Sequence, residues 1–255
     1  MKKTILFWII AFLITIGSAI YQRVTGPSYP KSGEVNLEGK KIVYKLERSH
    51  SSSSNYIIEL NTGDRSIRGT LKWRRNYKER EPFSELEMTG SEILRAELPA
   101  QAPLEKAQYF IELHKGQDTI MIPEDKPIII RFRGDVPAWV LIPHIFAMFF
   151  AMMLSTRCGL EFFNSKPSLK LFSRWTIIFL FIGGFVLGFM MNHFAFGQLW
   201  GGIPFGNDIT DNKTLIAFAG WLLAYFMIRK NAQPKLFALL AALLLILVYS
   251  IPHSV

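Results

Sequence analysis

Two kinds of hydrophobic pattern divide the chain. Residues 4–21 and most of 137–253 form long apolar runs, whereas residues 22–136 place apolar side chains at alternate positions among polar ones. Uncharged runs of about 18–20 residues suit helices that cross a hydrocarbon core of roughly 30 Å. The pattern predicts five spans: Thr4 to Tyr21, Pro137 or Pro143 to about Ser155, Leu171 to Met191 with Arg174 near its start, Thr214 to Ile228, which is slightly short, and Leu236 to Ser250. Gly183, Gly184 and Gly188 on the third span read as a close-packing face, because small residues let membrane helices approach.

Strict alternation of apolar and polar residues is the mark of half-buried strands. It is found in Thr70–Arg74, while Ile42–Leu46 and Tyr56–Leu60 read as further short strands bounded by turn signals. Further on, Tyr109, Ile111 and Leu113 oppose Glu112 and His114, and Ile128, Ile130 and Phe132 oppose Arg131 and Arg133. The segments are separated by turn-forming tracts such as Asn61-Thr62-Gly63-Asp64. Roughly seven or eight strands in about 100 residues predict an antiparallel β-sandwich. The tract Trp73-Arg74-Arg75-Asn76-Tyr77-Lys78 reads as a solvated hairpin, since Glu79, Glu81, Glu85 and Glu87 follow it.

The expected fold is therefore a membrane α + β protein. Residues 1–21 form an N-terminal transmembrane anchor and residues 22–136 an extracytoplasmic β-sandwich. Residues 137–255 form a four-helix transmembrane bundle with an outer loop at 192–213. Lys2 and Lys3 ahead of the first apolar run, with Gly17-Ser18-Ala19 near its end, also fit a cleaved signal peptide. The tract Arg133-Gly134-Asp135-Val136-Pro137 reads as a turn that leaves almost no linker before the second span.

The stretch Pro103-Leu104-Glu105-Lys106-Ala107-Gln108-Tyr109-Phe110-Ile111 resembles the tyrosine-corner approach to a late strand in immunoglobulin-like and fibronectin type III-like domains. The resemblance covers about ten residues and lacks the usual disulfide and tryptophan pattern. It implies a sandwich rather than a barrel, and a module that binds or spaces partners.

Charge refines the picture. The net charge of +9 could point to nucleic acid. Residues 22–136, however, carry 19 Lys/Arg against 17 Asp/Glu, and the remainder carries 10 against 3. Those ten basic residues flank apolar segments, so they report membrane topology and no nucleic-acid partner is expected. Placing the N-terminus inside puts Lys2, Lys3, the 156–174 loop and the 229–235 loop in the cytoplasm. The outer loop keeps only Lys213 beside Asp208 and Asp211. A Met-Lys-Lys start suits a bacterial inner membrane, with the C-terminus outside. The lone cysteine, Cys158, excludes an intramolecular disulfide and reads as a small buried residue.

Candidate chemistry concentrates at the outer face. His144, His193 and His253 fall at one level, accompanied by Met148, Met190 and Met191. Imidazole and thioether groups converging from several helices could ligate haem b or copper. The outer loop, with Trp200, Pro204, Phe205, Asp208, Asp211 and Asn212, is the most distinctive tract. Trp200 and Phe205 suit the membrane interface or a re-entrant dip, and Thr210 or Asp211 suits an N-cap of the fourth predicted span. Asp208, Thr210 and Asn212 alternate as calcium ligands do, but Lys213 stands where such a loop needs glycine. Asp208 and Asp211 are the candidates for acid–base catalysis. GxSxG, Walker and HExxH motifs are absent.

The leading expectation is an accessory or scaffold protein docking other membrane or periplasmic proteins. The alternatives are a haem- or copper-binding electron-transfer or metal-handling protein, and an enzyme acting at the outer surface.

Overall fold

The structure is a computed structural model and describes residues 2–75 and 81–251. Residues 76–80, which include the Asn76-Tyr77-Lys78 part of the basic tract, lie outside the described residues, as does His253. The fold is mixed α + β, and the chain divides into two compact units: residues 1–27 with 136–254, and residues 28–135.

The helical unit begins with α1 (Lys2–Thr25). After the strand region come α2 (Ala138–Leu160), a 3-10 turn at Glu161–Phe163 and α3 (Leu169–Leu180). A π-helical segment, Phe181–Leu187, continues α3 into α4 (Gly188–Phe196) without a break. The unit closes with α5 (Ile209–Arg229) and α6 (Pro234–Ser250). Pro143 lies inside α2, beyond the point where the Leu141 N–H already bonds the Pro137 carbonyl, so the helix forgoes one i→i−4 bond there. Pro234 opens α6, at a position whose N–H has no intrahelical partner.

Among the described residues, three helices are long and apolar enough to cross a membrane: Lys3–Thr25, Ala138–Phe163 and Leu169–Phe196. α6 is a shorter apolar helix, and α5 carries buried Asp211 and Lys213 in its first turns. The core of this unit is built from Ala151, Leu180, Ala217, Trp221, Ala238 and Leu245, among others. Small residues set its spacing. A Cβ on Gly159 of α2 would stand 2.6 Å from the Cβ of Ala242 on α6, so the two backbones meet only because Gly159 has none.

The strand unit contains β1 (Lys31–Leu37), β2 (Lys40–Leu46), β3 (Ser49–Ser51), β4 (Tyr56–Asn61) and β5 (Arg68–Arg75). It continues with β6 (Ser84–Glu87), β7 (Ile93–Leu98), β8 (Lys106–Lys115), β9 (Asp118–Ile122) and β10 (Ile128–Arg133). β1 pairs with β2 and β4 with β7, while β3, β10, β8, β5 and β6 lie side by side and β9 also pairs with β8. One large core joins residues from these sheets, including Ile42, Ile58, Leu71, Leu94, Ile111 and Ile130.

Two details depart from the sequence expectation. β3 runs parallel to β10, through Ser49↔Arg131 to Ser51↔Arg133, in the serine-rich stretch between β2 and β4 where no strand pattern is present. Its serines fit there because β3 is an edge strand of partly exposed residues. Tyr109 is fully buried, but its hydroxyl donates to the carbonyl of Glu47 at 2.7 Å, 62 residues upstream. A tyrosine corner would instead bond a few residues back. Tyr56 Oη accepts from the Glu47 N–H at 3.0 Å, so two tyrosines clamp the end of β2. Burial raises the Tyr109 hydroxyl well above the ordinary tyrosine pKa.

Candidate functional site

The 197–208 loop and the start of α5 form a dense hydrogen-bonded cluster. Gly197 ends α4 in the left-handed conformation, at φ 74°, that glycine adopts without steric cost. Asp208 is the N-cap of α5, with its Oδ1 accepting from the N–H groups of Thr210 at 2.8 Å and Asp211 at 3.0 Å. The expected cap at Thr210 or Asp211 is thus corrected by two residues or more. Asp208 lies at the last extended backbone position, where a carboxylate meets the free N–H groups of the first turn.

Asp211, in the first turn of α5, is buried and faces back into the loop. Its oxygens accept from Asn192 Nδ2 of α4 at 2.9 and 3.2 Å and from the Gly201 N–H at 2.6 Å. Asn212 Oδ1 accepts from the Ile203 N–H at 2.8 Å. Trp200 Nε1 donates to the Ile203 carbonyl at 3.1 Å. Lys213, also buried, donates to the Ile251 carbonyl beyond α6 at 2.6 Å. Asp208 thus caps α5 while Asp211 and Asn212 hold loop backbone, and the three side chains gather at Gly201 and Gly202, where an added Cβ would meet Asp208 Cβ at 3.2 Å, Asp211 Cβ at 2.9 Å and Asn212 Oδ1 at 2.7 Å. Pro204 and Phe205 stand exposed.

The histidine–methionine group is only partly drawn together. His144 Nδ1 bonds the Gly183 carbonyl at 2.9 Å. Because a carbonyl can only accept, Nδ1 carries the proton and a neutral ring keeps its lone pair on Nε2. Met148, one turn along α2, packs on the same residue: a Cβ at Gly183 would lie 2.7 Å from its Sδ. His193 is exposed on α4, its ring against Phe194 at 5.7 Å, and Met190 and Met191 are half-buried. Among the described residues, no three His, Cys, Asp or Glu side chains gather where they could hold a metal ion.

A second polar centre was not anticipated. Arg157 and Glu161, one turn apart near the end of α2, form an ion pair with side chains only 2% and 1% exposed. Glu161 Oε2 also accepts from Asn164 Nδ2 at 3.0 Å and the Ser168 N–H at 2.8 Å. The Arg157 guanidinium lies over Phe172 at 4.7 Å, and within 5.4 and 5.5 Å of the Phe7 and Trp8 rings of α1. Lys235 at the start of α6 donates to the Asn164 carbonyl at 2.6 Å. Four helices thus meet around one charge pair. The i, i+4 spacing of Arg157 and Glu161 was the available signal; counting Arg157 as a membrane-flanking charge hid it. Cys158 is fully buried beside this pair, its Sγ 3.8 Å from the Leu169 carbonyl, as expected for a packing residue.

No protein-family model and no curated protein sequence matches the chain.

Proposed function

We propose that the chain is a multi-pass accessory or scaffold protein of a bacterial-type cytoplasmic membrane. In this reading α1 is an anchor with its N-terminus inside, and α5 and α6 cross alongside α2 and α3–α4 as a four-helix bundle. The strand unit is an immunoglobulin- or fibronectin III-like sandwich outside the cytoplasm that docks a partner protein, while the bundle joins other membrane subunits.

One observation supports the reading. The acidic residues of the loop serve the fold as acceptors, Asp208 through Oδ1 to two helix N–H groups and Asp211 through both oxygens to Asn192 and Gly201. Carboxylates that fix backbone in this way favour a structural part over acid–base work, which requires reach to the proton being moved. Isolation of the full chain from its native membrane, after cross-linking, tests the proposal. A defined complex containing a second membrane or periplasmic protein supports it. A chain that runs alone before and after cross-linking overturns it.

A redox reading has one point in its favour. His144 is oriented through Nδ1 by a backbone carbonyl, as metal-bound histidines commonly are, leaving Nε2 available. The absorption spectrum and metal content of the purified protein, beside a His144→Ala/His193→Ala variant, separate the two. A Soret band or stoichiometric copper lost in the variant supports the redox reading, and a colourless, metal-free protein removes it.

A further inference from the structure

We infer that the segment Gln198–Asn207 is a re-entrant loop that returns into the outer boundary of the bilayer and presents Leu199, Ile203 and Phe205 to lipid. The inference rests on the membrane reading of the helical unit.

The return is visible in the aromatic contacts. The continuous helix Leu169–Phe196 has 28 residues, about 42 Å at 1.5 Å per residue, roughly 12 Å more than a hydrocarbon core needs. With Lys170 and Arg174 on the cytoplasmic side, the stretch from Trp175 to Phe196 covers about 33 Å, so the end of the helix stands near the outer hydrocarbon boundary. Trp200, only four residues past that end, does not continue outward: its ring stacks on Phe185 at 5.8 Å and meets Phe189 edge-on at 5.6 Å. Phe185 lies about 16 Å back along the helix from Phe196. The loop thus turns back from that boundary toward the bilayer and carries the Trp200 ring inward against the helix, as a re-entrant segment does. α5 starts from this depth, since Gly184 faces Thr214 of its second turn.

Composition agrees with the geometry. From Trp175 to Asn207 the chain contains no Asp, Glu, Lys or Arg. The large exposed side chains in the middle of the loop are apolar, Phe205 at 84% and Leu199 and Ile203 at 58% each, while the exposed polar residues Gln198 and Asn207 stand at its two ends. A loop projecting into water has no reason to hold three large apolar groups outward on a fixed frame.

The main obstacle to irregular backbone in a membrane is its unpaired N–H and C=O groups. Here many are paired within the protein. The N–H of Gly201 meets Asp211 and that of Ile203 meets Asn212. The N–H groups of Phe205 and Gly206 both reach the Gly202 carbonyl at 2.9 Å, and the Asp208 N–H reaches the Gly201 carbonyl at 2.9 Å. The Ile203 carbonyl takes the Trp200 indole. Asp211 and Asn212 therefore act as substitutes for the water that such a loop would otherwise require.

The test is site-directed spin labelling of the full chain in phosphatidylethanolamine/phosphatidylglycerol vesicles, on a Cys158→Ala background. Labels at Phe205→Cys and Leu199→Cys are compared with Leu13→Cys in α1 as the lipid reference and Val43→Cys in β2 as the aqueous reference. The ratio of oxygen to nickel-chelate collision at positions 205 and 199 is expected to exceed that at position 43 several-fold and to approach that at position 13. Water-like ratios at 205 and 199 with a lipid-like ratio at 13 overturn the re-entrant loop. A water-like ratio at 13 itself overturns the membrane reading beneath it.

Discussion

Removing Glu161 should damage the protein more than removing Arg157, although the two form one ion pair. Glu161→Leu strands a guanidinium that cannot lose its proton, in a site where both side chains are at most 2% exposed. It also takes the acceptor from Asn164 Nδ2 and the Ser168 N–H. Uncompensated buried charge from a broken pair costs about 3–5 kcal/mol. Arg157→Leu leaves Glu161 with two of its three donors, and a carboxylate can neutralise itself by taking up a proton. Its cost should be smaller by about one charge-assisted hydrogen bond, roughly 1.5–3 kcal/mol. The double variant Arg157→Leu/Glu161→Leu removes both charges and should regain much of the loss, because apolar replacement of a buried pair is often near neutral. Equilibrium unfolding of the full chain in lipid bicelles measures all three. If Glu161→Leu stays within about 1 kcal/mol of the parent, or Arg157→Leu proves the costlier, the account of a buried and mutually dependent pair is wrong.

Asp211→Ala should orphan the Gly201 N–H and release Asn192, loosening the loop by about 1–3 kcal/mol; limited proteolysis should then cut near Gly201–Phe205, where the parent resists. Gly159→Ala should push α2 from α6 and lower stability by about 1–3 kcal/mol, and adding Ala242→Gly should restore it; the thermal midpoints of the single and double variants decide this. Asp64 is held below the ordinary carboxylate pKa, first by the hydroxyl and N–H of Ser66 and then by Lys115. Its folded-state value is depressed, so its contribution is present above the unfolded value near ~4 and is lost as pH falls below it. The parent should therefore lose more stability than Asp64→Asn between neutral pH and pH ~3 in paired unfolding titrations of the full chain.

What the sequence disclosed followed local periodicity. Ile128, Ile130 and Phe132 are buried as their alternation implies, and the apolar runs became helices. β1 escaped notice because its pattern, Lys-Ser-Gly-Glu-Val-Asn-Leu, has a gap at Gly33. That gap is filled from the neighbouring strand by the ring of Tyr44, the residue paired with Gly33. No single-strand pattern can reveal a side chain supplied from across the ladder. The Tyr109–Glu47 bond was hidden for the same reason, joining β8 to the end of β2. At the candidate site, the composition singled out Asp208, Asp211 and Asn212, but only the folded backbone revealed that each holds an amide.

The π-helical segment Phe181–Leu187 has a reach beyond its own seven residues. A π turn accommodates an additional residue, so everything after it is rotated by about 100° from where an uninterrupted α-helix would point it. Asn192 meets Asp211 only with that rotation in place. Deleting one residue between Gly183 and Leu187 would leave every side chain of the loop intact. It would nevertheless aim Asn192 away from its carboxylate, as a key cut correctly fails when inserted a quarter-turn off.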